Sequence, residues 1–125
     1  MQATVEQSTY LLALAEPVLT LLDDSHRALE PMPGAKTAGD HPPMLALKTT
    51  FFAVYRDLCD AALAAAPDVL AAANPYAPAR TAFPIVHDFV AYLMTAHLAY
   101  HLGQLTGWRA AAGLGRIHRP DSLAA

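Results

Sequence analysis

Two imidazoles, His97 and His101, stand four residues apart in the run His97-Leu-Ala-Tyr-His101-Leu-Gly-Gln-Leu-Thr-Gly-Trp108-Arg109. On an α-helix, residues i and i+4 share a face, about 6 Å apart along the axis. That spacing lets two neutral imidazoles point at one ion, and histidine is the commonest side-chain metal ligand. Zinc takes three or four groups from protein and water, so the chemistry turns on a third ligand. His87 lies ten residues before His97. On one helix it is rotated roughly 80° away and displaced about 15 Å, too far to join the pair. His26 and His41 lie on other segments and can approach in space, whereas His118 falls in the tail. Asp57 and Asp60 read as solvated-face residues of another helix.

Other chemistry is sparse. The chain has no glycine-rich phosphate loop, no nucleophile elbow and no His-Glu-x-x-His, which disfavours a hydrolytic metalloprotease. Cys59 is the single cysteine and lacks a Cys-x-x-Cys partner, so it reads as a small buried hydrophobe and fits a reducing compartment. Arg109, near a helix end, complements the macrodipole. Eight basic and eleven acidic side chains give a formal net charge of −3, without a basic block. Nucleic acid is therefore not an expected partner. The start, Met1-Gln-Ala-Thr-Val-Glu-Gln, lacks the basic and apolar regions of a signal peptide. No apolar run reaches the roughly 20 residues of a membrane span. These features lead to an expectation of one soluble, cytoplasmic, all-α domain over residues 1–125.

The elements that must carry the histidines follow from periodicity. Apolar residues at Val5, Leu12, Ala15, Leu19 and Leu22, with a second set at Leu11, Leu14, Val18 and Leu21, predict a helix over about 4–29. Pro17 inside it predicts a kink or a break near Ala15-Glu16. Residues 30–39 are a proline- and glycine-punctuated loop. A second helix is expected over about 42–66, capped by Asp40 or His41, with Pro42-Pro43 in its first turn. Pro67 ends it, and one extra turn is expected within 68–73. Asn74-Pro-Tyr-Ala-Pro-Ala-Arg80 reads as an ordered loop. The third helix runs over about 84–112, stopped by Gly113 and Gly115. Its core stripe is expected at Val86, Val90, Leu93, His97, His101, Gln104 and Trp108. The tail over 116–125 has no periodicity.

The segment from Met94-Thr-Ala-His97 through Tyr100-His101 to Arg109-Ala-Ala-Ala-Gly-Leu114 resembles the last helix of DinB-like (DinB/YfiT) proteins. Asn74-Pro-Tyr-Ala-Pro-Ala-Arg80 with Phe83-Pro84 is similar to the lead-in to that helix, and Pro42-Pro-Met-Leu-Ala-Leu to the start of the family's third helix. The resemblance covers about 42–114 and implies a four-helix bundle, often dimeric, with a divalent metal on three histidines. Two of these come from a His-x-x-x-His that maps onto His97 and His101. It also implies zinc or nickel as the metal, and thiol-dependent transferase or isomerase chemistry among relatives.

One element of that pattern is missing. The family's second helix carries the remaining histidine, yet here the chain passes from Gly34-Ala-Lys-Thr-Ala-Gly39 directly to Asp40-His-Pro-Pro43. His41, close to the junction, is the only nearby substitute. Three long helices arranged as in a four-helix bundle leave an apolar groove, and a patch of that kind signals a partner or an aggregation hazard. At roughly 25 cal/mol per Å² of apolar area, covering it stabilises an assembly by many kcal/mol before ordering costs. A homodimer is therefore expected, with exchange of the first helix about Pro17 as one route. The competing reading is a non-catalytic dimeric helical module with His97 and His101 as core residues.

Overall fold

The computed structural model describes residues 1–19, 22–23 and 42–115. His26, His41 and His118, the expected cap residues Asp40 and His41, the loop over 30–39 and the tail over 116–125 lie outside the described residues. Within them the architecture is all-α, as expected. The helices are α1 (Gln2–Leu19), α2 (Met44–Ala64), the short α3 (Pro67–Ala71), α4 (Val86–Tyr92) and α5 (Leu98–Ala111). A π turn, Leu93–His97, joins α4 to α5 into one continuous rod. The described residues form no strand, only an isolated antiparallel bridge between Ala73 and Ile85. None of their helices is long and apolar enough to cross a membrane.

Helix α1 is the centre of the bundle, packing against α2 on one side and the π turn and α5 on the other. Its buried residues Val5, Ser8, Leu12, Ala15 and Val18 follow a 3-4-3-3 spacing that keeps them on one face. The expected break at Pro17 does not occur, because α1 runs unbroken through it to Leu19. Proline there removes one backbone donor close to the helix end, where few bonds remain to be lost. Two clusters form the core. Leu12, Ala15, Val18, Leu98 and Leu102 make one, and Val5, Cys59, Ala62 and Met94 the other. Cys59 is a free, buried thiol, as expected of a lone cysteine without a Cys-x-x-Cys partner.

The second helix begins later than expected. Pro43 takes the N-cap position with φ −52° and ψ 147°, so the Pro-Pro pair precedes the helix instead of filling its first turn. Each proline disfavours the α region for the residue before it, which delays helix entry. The same effect closes α2, where Ala65 and Ala66 are extended ahead of Pro67. Pro67 then opens α3, the expected extra turn. At the far end, Leu114 N–H donates to Arg109 O (3.0 Å) and Gly113 N–H to Ala110 O (3.3 Å). This is a Schellman closure, and it requires the left-handed φ of 73° that Gly113 adopts.

The largest correction concerns the inward face of the last helix. Its buried residues are Met94, Leu98, Leu102 and Arg109, not the stripe through His97, His101, Gln104 and Trp108. His97 is half-buried and His101 exposed. The π turn is the cause. It inserts an extra residue into one turn, shifting every later residue by about 100° relative to a regular helix extrapolated from Val86 and Val90.

Candidate metal centre

The site is positioned from a loop. Asn74 is fully buried, and its side chain donates to Phe83 O (2.9 Å) while accepting from Tyr76 N–H (2.9 Å). Asn74 N–H donates to Pro84 O and Val86 N–H to Ala72 O, both at 2.9 Å, while Arg80 Nε donates to Asn74 O at 2.8 Å. These bonds fix where α4 starts. Phe83, at the end of the loop, stacks on Tyr92 with ring centroids 4.5 Å apart. Tyr92 in turn shares a hydrogen bond between its hydroxyl and His97 Nδ1 (3.2 Å). The ordered loop expected from Asn74-Pro-Tyr-Ala-Pro-Ala-Arg80 thus reaches the imidazole through two rings.

The pairing of Tyr92 with His97 depends on the π turn. Five residues on a regular α-helix rotate about 500°, placing the two side chains about 140° apart. Hydrogen bonding at i→i+5 widens the turn and brings them onto one face. Such turns concentrate at functional sites. This one ends at His97, one helical turn before His101.

His97 Nε2 and His101 Nε2 approach to 3.1 Å, with the rings at 87°. Two lone pairs cannot face each other at that separation without something positive between them, either an N–H proton or a cation. Zinc–nitrogen bonds of about 2.0–2.1 Å at a tetrahedral angle put two ligand nitrogens about 3.3 Å apart. The observed separation is close to that value. The outer ring nitrogens are also engaged. His101 Nδ1–H donates to Gln104 Oε1 (3.0 Å), and Gln104 Nε2–H donates to the Tyr100 hydroxyl (3.3 Å). Tying Nδ1 to a protein oxygen fixes the ring plane and turns Nε2 toward the other histidine, the orientation that a metal-ligating imidazole needs.

The sequence placed His97 and His101 on one face, and they meet. His41, the third expected ligand, lies outside the described residues. Among the described residues no group of three or more His, Cys, Asp or Glu side chains gathers to hold an ion. His87 is separate, its Nδ1 3.0 Å from Asp88 Oδ1. Asp57 and Asp60 are solvent-facing. Sequence reading missed the supports. Gln104 was available from i, i+3 spacing to His101, whereas Tyr92 was concealed by the π turn. Replacing Tyr92 by Phe keeps the stack on Phe83 but removes the bond to His97. We expect zinc affinity to fall about tenfold, the lower end for loss of such a support. An unchanged affinity in a competition titration with a chromogenic chelator would refute that role.

No family model matches this chain, and comparison with curated proteins and with solved structures finds no match either.

Proposed function

We propose that this chain is a DinB-like metal-binding protein in which His97 and His101 hold one divalent ion, zinc or nickel. The observation that carries the reading is the convergence of the two Nε2 atoms at 3.1 Å, with both Nδ1 atoms held by protein oxygens. The resemblance of the Met94–Leu114 segment to the last DinB-like helix supports it. His41 is the proposed third ligand. When bound, such an ion acidifies a coordinated water or thiol, which is the basis of the thiol-dependent transferase-type chemistry that the resemblance implies. The residues of this chain supply the ring planes through Tyr92 and Gln104, and an open side at exposed His101.

A homodimer belongs to the same proposal. Leu45 is 77% exposed and Val54 56% exposed on α2, and Tyr100 is 63% exposed beside the histidines. Sedimentation at micromolar concentration should give twice the mass of one chain. A single-chain mass would remove this part of the reading. These apolar positions also favour the second reading, a non-catalytic dimeric module in which a second chain covers His101.

Calorimetric titration of metal-stripped, tag-free protein with zinc and with nickel decides between the two. Binding at micromolar affinity or tighter is expected from the metal reading. Absence of binding by both ions leaves the assembly module.

A further inference from the structure

Between α2 and α5 lies an open cavity of about 670 Å³. That is within the ordinary range for small-molecule sites. Its lining is mainly apolar, with Phe51 and Tyr55 from α2 and Leu98, Leu105 and Trp108 from α5, and with His101 and Gln104 as its polar side chains from α5. Among the described residues no carboxylate lines it. The cavity between α1 and α2 carries Glu16 and Asp60, and the groove beside α1 and the π turn carries Glu6. An anionic ligand therefore meets no fixed negative charge here, unlike at those two sites. The Tyr55 hydroxyl makes no hydrogen bond to another described residue. Burial raises its pKa above the ordinary phenol value, so it stays an O–H donor at neutral pH.

We propose that this cavity binds an arylalkanoic acid, its ring among Phe51, Leu105 and Trp108 and its carboxylate at the histidine pair. Aromatic side chains from both helices, Phe51 and Tyr55 on α2 and Trp108 on α5, favour an aryl body over a purely polar ligand, because ring faces and edges pair with one another. Among the described residues the wall holds no lysine or arginine. The carboxylate must therefore find its positive partner at the mouth, where His101 stands. The head-group placement rests on the metal-centre reading, in which a divalent ion on His97 and His101 supplies that charge. The Tyr55 hydroxyl supplies a donor for a carboxylate oxygen from the same wall. The ring placement is independent of any metal.

Trp108 is the only tryptophan of the chain, so its emission reports on this cavity alone. The test is a fluorescence titration with phenylacetate, 3-phenylpropionate, 4-phenylbutyrate and 5-phenylvalerate, with and without one equivalent of zinc. Metal binding is measured separately by calorimetry. Saturable change is expected, with affinity rising about fourfold per added methylene until the cavity is filled. Zinc should tighten binding about tenfold or more, since a bound cation is the largest charge in such a site. That gain should vanish in His101→Ala, an exposed position that folding tolerates, and Tyr55→Phe should weaken binding several-fold. Circular dichroism verifies that both variants are folded.

Zinc binding without any Trp108 response to the acids overturns the cavity inference and leaves the metal centre standing. Acid binding insensitive both to zinc and to His101→Ala also overturns it, because the head is then elsewhere. If no metal binds, acid binding that grows with chain length and is lost in His101→Ala removes the metal reading and sustains the cavity. Loss of both signals removes both.

Discussion

Alanine in place of His101 should weaken zinc binding by two orders of magnitude or more while leaving the helical content unchanged. A hundredfold loss corresponds to about 2.7 kcal/mol. This is a modest demand on a ligand whose removal leaves one imidazole where two converged. His101 is exposed, so truncation opens no core cavity. The same substitution at His97 should cost as much affinity and also some stability, because that ring is half-buried against Tyr92 at a centroid distance of 5.4 Å. Thermal unfolding gives a second readout. An ion that binds only the folded chain adds about 2.7 kcal/mol at a free concentration one hundred times its dissociation constant. The native protein should show this upward shift in Tm, reversed by a chelator, and His101→Ala should not. Equal affinity in the native chain and both alanine variants would remove the histidine pair as the centre.

The largest stability effect is expected at Arg109, a residue outside the proposed metal centre. It is 4% exposed and joins two helix ends. One terminal nitrogen donates to Val18 O near the end of α1 (3.2 Å), the other to Leu114 O beyond the end of α5 (3.2 Å). Carbonyls at helix C-termini lack intrahelical donors, and both macrodipoles place partial negative charge there. One planar, permanently charged fork thus reaches a carbonyl at each of the two helix ends. Arg109→Ala deletes both bonds and a buried side chain, with an expected loss of about 2–4 kcal/mol. Tm should then fall by on the order of 10 °C. Arg109→Lys should recover only part of this, because a single ammonium on a flexible stem cannot reproduce the fork. A Tm within about 2 °C of native for the alanine variant would refute the clamp.

Arg109 also shows how far local reasoning reaches. Its place near a helix C-terminus was legible from Gly113 and Gly115, and so was a favourable interaction with the macrodipole. Its burial was not, since it depends on the end of α1, 91 residues earlier, arriving beside it. The histidines show the converse. Their spacing fixed a shared face because helix geometry is local, but the direction of that face was assigned to the interior. Met94, Leu98 and Leu102 occupy the interior instead.

Sequence alone determined the all-α class, the ends of α2 and α5 set by Pro67 and Gly113, and the convergence of His97 on His101. Each follows from backbone sterics or from the rise and rotation of a single helix. Tertiary structure decided the rest. The π turn rotates the histidines off the core face, so that Met94, Leu98 and Leu102 occupy it instead. It also brings Tyr92 over His97, while the aromatic cavity is made by α2 and α5 together. These depend on how helices pack, and packing energy is spread over residues distant in the chain.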